Sequence, residues 1–482
     1  MSVRSPFRRG RPATPNGVLA IVCVAICLAN LDLFIVNVAL PDMARSLGGA
    51  ALDAMSWVLN GYAIAYAALL VFFGRLAERH RRDLSFLWGV GLFTLASAAC
   101  AAADSVPMLV GFRVVQAAGA ALMTPTSLGL LLASFPPDRR AGAVRVWTAL
   151  GGFAAALGPL LGGALLTLSW RWIFLVNVPA GLIAIAIGLW KLPRVPGHDA
   201  PRPNAAAALL VTLGIAALVL AIVKGNDWGW SSAATGGSVL VAALCLALFV
   251  RHCLRSANPF VDPALFRNRR FTGATLVMAP YSVAFGGMLL SVALWEQSAW
   301  HWSALQTGLA IAPGPLLVPI TSLLFGGRLL RRFGAAAVLT AGICCFMAGL
   351  ILYALGLGLA ANGALAALGM VPTGIGVGLT FPTLMGVGTS ALPAASLATG
   401  SGVINMTRQA ALAVGVAIFV AIVGPARDAS ERLAAFDLGW WVLAAIIALG
   451  LLPVALLLRQ KPRRLPAGAA AFARVETVEG AR

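Results

Sequence analysis

The chain has 482 residues, of which 60% are hydrophobic and only 11% charged, and its mean hydropathy is +0.90. That much apolar surface excludes a soluble domain of this size and makes lipid the solvent for most of the chain. The net charge of +19 does not point to nucleic acid, because the basic residues sit in short clusters between apolar runs.

Residues 1–16 carry Arg4, Arg8, Arg9 and Arg11 and read as a cytoplasmic tail. The apolar run that follows, 17–40, is too long for the core of a cleaved secretory signal and reads as a retained helix. A helix needs about 20 apolar residues to cross the hydrocarbon core. Fourteen runs qualify: 17–40, 55–74, 84–103, 107–133, 142–168, 172–191, 205–223, 233–252, 271–296, 305–327, 335–357, 362–385, 398–424 and 437–458. They divide as six, two and six. The expected architecture is all-α and integral to the membrane, with an N-terminal six-helix bundle over 17–191 and a C-terminal one over 271–458. The pair at 205–252 is an insertion between them, and 459–482 is a polar, basic cytoplasmic tail.

Orientation follows from Lys and Arg in the connecting loops. With the N-terminus inside, the inner loops hold most of the basic residues. The outer loops hold only Arg45, Arg171, Lys224, Arg427 and Arg432. Both termini are then cytoplasmic. Two of the inner loops resemble each other: Gly74-Arg75-Leu76-Ala77-Glu78-Arg79-His80-Arg81-Arg82 and Gly327-Arg328-Leu329-Leu330-Arg331-Arg332-Phe333-Gly334. Two parallel halves with matching short loops are the pattern of a secondary transporter, whose halves rock about a central site.

Three charges fall inside spans. Asp32 lies deep in the first, where a carboxylate costs about 2.5–3.5 kcal/mol on insertion scales. It must be paired, face a polar interior, or be protonated for part of a cycle, which makes it a candidate proton carrier. Arg113 and Gln116 share a face of the fourth span. Counted from the outer ends of their spans, Asp32 is ~13 Å deep and Arg113 ~9 Å deep, so the two can pair. Arg408 sits near mid-depth of 398–424 beside Asn405 and Gln409, with no acidic partner evident. Those three, with Asn30 and Asn37, are candidates to line a substrate cavity. Glu296 falls at the outer end of its span and reads as interfacial. Gly158, Pro159, Gly162 and Gly163 interrupt the fifth span; Gly158 and Gly162 form a small-xxx-small pair that admits a neighbouring helix, and Pro159 bends the chain. Gly374, Gly376 and Gly378 would soften 362–385.

These segments together resemble the major facilitator superfamily, in its fourteen-helix drug:proton antiporter branch. The resemblance is carried by Leu31-Asp32 through Asn37 to Pro41, by Gly74 to Arg82, and by Arg113 to Gly119. Leu157 to Gly163 and Trp170 through Asn177 to Pro179 carry the rest. It implies proton coupling through Asp32, Arg113 and Gln116. It also implies cytoplasmic gate loops at Gly74, Arg75, Glu78, Arg79 and Arg82 and at Gly327, Arg328 and Arg332. The antiporter motif would be Gly158, Pro159, Gly162 and Gly163. The implied activity is efflux of amphipathic drugs or toxic organic compounds across a bacterial cytoplasmic membrane. Two positions depart from the family pattern: Glu78 stands where the family has Asp, and Arg81 where it has Gly, which puts the tight turn there in question.

No phosphate-binding loop surrounds any of the three lysines, Lys191, Lys224 and Lys461, so the expected energy source is a proton gradient. The four histidines are scattered and the seven cysteines lack zinc spacing, so neither a metal nor a cofactor is expected, and an embedded enzyme is disfavoured. The expected partners are protons, a small amphipathic substrate and the bilayer, the protein itself being monomeric. A nutrient symporter of the same fold is the rival reading, and the glycines of the fifth span speak against it.

Overall fold

The computed structural model describes residues 13–197, 204–390, 397–424 and 428–458, together with 392 and 426. The two expected tails, 1–16 and 459–482, lie outside the described residues except for 13–16. Every regular element among the described residues is helical. The first seven are α1 (Pro15–Ser46), α2 (Leu52–Arg79), α3 (Arg82–Ala101), α4 (Val106–Ser134), α5 (Pro137–Leu166), α6 (Trp172–Leu175) and α7 (Asn177–Lys191). Next come α8 (Ala205–Trp228), α9 (Ala233–Arg255) and α10 (Arg269–Ser298). The series closes with α11 (Ala304–Ile311), α12 (Pro313–Ile320), α13 (Gly327–Gly356), α14 (Gly363–Ser390), α15 (Leu397–Val423) and α16 (Ala429–Ala448).

Local chemistry sets the helix starts. Thr14, Ser105, Asn204 and Ser232 each accept a backbone N–H of the first turn, and Ser303 forms a reciprocal capping box with Gln306. Prolines at the first positions of α1 and α4 cost no hydrogen bond there. Pro41, Pro125, Pro159 and Pro280 lie inside long helices that run on through them, as neighbouring helices allow in a bilayer. The fifth span is accordingly one helix, α5, from Pro137 to Leu166, with Pro159 inside it.

Among the described residues, twelve helices are long and apolar enough to cross a membrane. The most buried is α10, at 78% of its apolar window, and the least is α9, at 17%, so α10 is central and α9 peripheral. Large apolar side chains such as Trp88, Leu95, Leu240, Leu355 and Leu456 point outward, where lipid rather than water is the partner. The run Ala304–Gly356 is helical for 53 residues and is broken where Gly334 adopts φ +78, a conformation that favours glycine.

Close helix contacts are made at glycines. The Cβ of any residue at Gly119 would lie 2.5 Å from the backbone N of Phe93, which locks α4 onto α3. Gly374 and Gly378 bring α14 against the carbonyls of Gly314 and Val318 in α12, and Gly376 brings it against Gly342 of α13. These three glycines, expected to soften the helix, are taken up by backbone approach on two sides.

Candidate functional site

The helices α1, α3, α4 and α7 meet around Asp32, which has no exposed surface. One carboxylate oxygen, Oδ2, accepts Nη1 of Arg113. The other, Oδ1, accepts Nε2 of Gln116 at 2.8 Å and Nδ2 of Asn177 at 3.1 Å. Nη1 of Arg113 also donates to Oε1 of Gln116 at 2.7 Å. The second amide hydrogens of Gln116 and Asn177 both go to Oγ of Ser97, at 3.1 and 3.0 Å. Ser97 in turn donates to the carbonyl of Phe174 at 2.9 Å. The guanidinium of Arg113 lies 4.1 Å from the centre of the Tyr62 ring and 5.7 Å from that of Phe174, and its Nε donates to the carbonyl of Val58.

This arrangement suits the ionised carboxylate. Asp32 receives three N–H donors, one of them cationic, and none of those atoms can accept a proton from it. The network is enclosed, so its charges are compensated only by one another. Sequence reasoning found Asp32, Arg113 and Gln116. It did not single out Ser97, Asn177 or Tyr62 as members. Asn177 lies within the quoted segment Trp170–Pro179, and its polarity inside an apolar run was the available signal; Ser97 offers none beyond its position.

A second cation lies on α15, which packs along α2. Arg408 is crowded by the surrounding helices and is half-buried. Its guanidinium is 5.8 Å from the centre of the Phe381 ring and close to Tyr66, with no acidic partner among the described residues. Tyr66 stacks on Tyr62 at 5.9 Å and meets Thr124 at 3.0 Å. Asn30 and Asn405 are half-exposed, each donating to a carbonyl of its own helix, at 2.8 and 3.1 Å. Asn37 is buried and donates to Leu33 and Phe34, so it is turned away from open space. Gln409 is fully buried, and neither of its amide atoms has a partner among the described residues.

The glycines of α5 lie on two interfaces. A Cβ at Gly158 would come within 2.8 Å of Phe34 Cβ, and one at Gly162 within 3.0 Å of Ile35, both on α1. A Cβ at Gly163 would stand 2.5 Å from the carbonyl of Ala304, and one at Gly308 2.5 Å from that of Pro159, which presses α5 against α11. Near the same end, Gln297 of α10 donates to the carbonyl of Val38 in α1 at 2.9 Å.

The two repeated loops differ in surroundings. In the first, Arg81 donates to Asp83 at 2.6 Å, Arg82 reaches the carbonyl of Gly129, and the Arg82 amide meets the carbonyl of Val195. Arg81 has φ −60 and ψ 118, extended backbone that any residue adopts, so glycine is not needed there. Gly197 passes close to the backbone of Arg79, and Gly74 packs near Pro125. Arg75 lines a cavity of about 460 Å³ with Cys253, Asn258, Asp262 and Thr399. The side chain of Glu78 lies outside the described residues. In the second loop Gly327, Arg328, Arg331 and Arg332 are exposed, and Arg332 lies over Phe333 at 5.1 Å.

A model of the Major Facilitator Superfamily matches residues 22–416. The chain belongs to the major facilitator superfamily. It is 35% identical over 390 residues to the multidrug resistance protein Stp of Mycobacterium tuberculosis, covering 80% of this chain and 72% of that one. It is 31% identical over 425 residues to the tetracenomycin C resistance and export protein of Streptomyces glaucescens, covering 86% and 76%. The fold is similar to that of a POT family transporter crystallised with 5-aminolevulinic acid, with a TM-score of 0.69, 16% identity and coverage of 92% and 96%. This major facilitator chain is therefore a transporter rather than an enzyme, a multi-pass protein of the bacterial cytoplasmic membrane.

Proposed function

We propose that this major facilitator protein exports amphipathic drugs or toxic organic compounds in exchange for protons, by alternating access. The observation that carries the reading is the enclosed network of Asp32, Arg113, Gln116 and Asn177. It is a carboxylate kept inside a span with a full set of donors, which a static packing role does not require. Relatives named for multidrug resistance and for export give the direction of transport its support.

In this reading the chain has fourteen spans with both termini cytoplasmic. At ~1.5 Å per residue a 53-residue helix would be ~80 Å long, against a hydrocarbon core of ~30 Å, so Ala304–Gly356 counts as two spans joined at Gly334. The helix α5 supplies the other addition. Bundles 17–191 and 271–458 are the two halves, with 205–252 as an inserted pair, and the protein works as a monomer.

The contacts of α5 with α11 and of α10 with α1 then seal the outer side. Cargo enters from the cytoplasm or inner leaflet and lies among Asn30, Asn405, Phe381 and Arg408, Arg408 meeting its polar or anionic part. The halves rock, the repeated loops close the inner side, and a proton from outside reaches Asp32. Protonation breaks the pairing with Arg113, cargo leaves, and the protein returns. The proton gradient is the only energy source, and neither metal nor cofactor takes part.

The test is substrate-triggered proton release in inverted membrane vesicles, with a panel of cationic dyes and antibiotics. A compound that dissipates the gradient with wild type and not with Asp32→Asn supports antiport. Co-directional movement of a metabolite and protons, with no compound releasing protons, refutes export.

A further inference from the structure

Glu296, near the C-terminal end of α10, takes no part in the network around Asp32. The interfacial position expected from the sequence is not what is observed: only 1% of its surface is exposed. Neither carboxyl oxygen has a hydrogen-bond partner among the described residues. The Thr307 hydroxyl of α11 lies beside it, also without a completed bond.

Among the described residues, the surroundings offer the carboxyl no cation. From α16, Phe436 and Trp440 pack on the neighbouring Trp295 at 5.0 and 5.9 Å. Arg432 of the same helix donates to the carbonyl of Ser298 at 3.4 Å, while Asp428 and Glu431 at its head are exposed. From α13, Tyr353 stands near Glu296, but its hydroxyl donates to the carbonyl of Ala366 at 3.0 Å. From α1, the carbonyl of Val38 is taken by Gln297. A bare carboxylate here would be both desolvated and unpaired, the costliest state for such a group. The neutral acid needs only one weak acceptor, and Thr307 is placed to be one.

The site also lies at the seal. Gln297 clasps α1, and Thr307 is adjacent to Gly308, which presses on Pro159 of α5. Parting of these contacts would open Glu296 to water.

We propose that Glu296 is a second proton-binding site, loaded from outside when this end opens and held as the neutral acid while it is closed. Only the O–H bond of the carboxyl is made and broken, the proton exchanging with outer water. Its place in the cycle rests on the export reading; its protonation does not. The proton count per cargo is then set by two carboxyls, not by Asp32 alone.

Infrared difference spectra between neutral and alkaline pH, on purified protein in lipid, test this without any cargo. Wild type should show a protonated-carboxyl C=O band that Asp32→Asn keeps and Glu296→Gln loses. Identical bands in wild type and Glu296→Gln would overturn the proposal. If that variant does not fold, Glu296→Asp should shift the band, and an unshifted band overturns it equally. In proteoliposomes, Glu296→Gln should move fewer protons per ethidium than wild type, and an unchanged ratio would remove Glu296 from the cycle. If wild type moves no ethidium, export of that dye fails as a reading, while the infrared band still decides the protonation of Glu296.

Discussion

Replacing Asp32 by Asn keeps the shape of the side chain and removes its charge. The Asn oxygen can still accept from Gln116 and Asn177, which reach Oδ1 at 2.8 and 3.1 Å. Its amide nitrogen must then face Nη1 of Arg113, a donor against a donor. Arg113 is left as an enclosed cation with only the carbonyls of Gln116 and Val58 and two aromatic rings about it. Removing one partner of a buried pair costs about 3–5 kcal/mol. At 1.4 kcal/mol per factor of ten, the ratio of folded to unfolded protein should fall by roughly two to three and a half powers of ten. The assay is equilibrium unfolding in mixed micelles titrated with denaturing detergent, for Asp32→Asn, Arg113→Gln and the double variant. Each single change should lower stability, and the double should recover most of the loss, because a neutral network has no stranded charge. Proton release should be lost in Asp32→Asn and in the double alike. If Asp32→Asn is as stable as wild type, the resting carboxyl is already neutral, and the reasoning from three donors to a carboxylate is wrong.

Gly163→Ala should hold the outer end apart, since its methyl would stand 2.5 Å from the carbonyl of Ala304; labelling of a Gln297→Cys variant by an impermeant maleimide should rise several-fold, and unchanged labelling would remove α5–α11 from the seal. Arg408→Gln should raise the KM for cargo with a polar or anionic group, by an amount equivalent to about 1.5–3 kcal/mol for a lost charged hydrogen bond, and leave stability little changed; direct binding measurements would check this. Asp53→Asn removes the partner of Lys224, which also pairs with Asp227 at 2.9 Å. Being half-exposed, this pair should contribute about 1 kcal/mol or less, so thermal stability and transport should stay close to wild type; a large loss would show that it anchors α8.

The membrane class, the boundaries of most spans and the pairing of Asp32 with Arg113 were legible in the sequence. Apolar runs and buried charges are signals that a one-dimensional reading can weigh, and equal depth along neighbouring helices brought those two residues together before any contact was known. Ser97 and Asn177 were missed as partners because a hydroxyl or amide inside a span does not announce which neighbour it will meet. Glu296 was misplaced for a related reason. Its distance from the span end suggested the interface, but the chain beyond it, Trp300, Trp302 and α11, folds back over it. The glycines of α5 were legible as a site of close approach, but not as a contact with two different helices. Arg81 in place of glycine proved compatible because the backbone there is extended, which depends on the following Asp83 and on Val195, far along the chain.

Tyr62 and Tyr66 stand one turn apart on α2, their rings stacked 5.9 Å from centre to centre. One ring covers the guanidinium of Arg113, and the other lies beside Arg408. A helical turn is a stiff spacer of ~6 Å for four residues. Any displacement of α2 along its axis therefore moves both rings together, and the two arginines, one on α4 and one on α15, sense the same rod. Cargo and proton need no long relay to be felt by each other; a single rigid turn of helix already spans the distance.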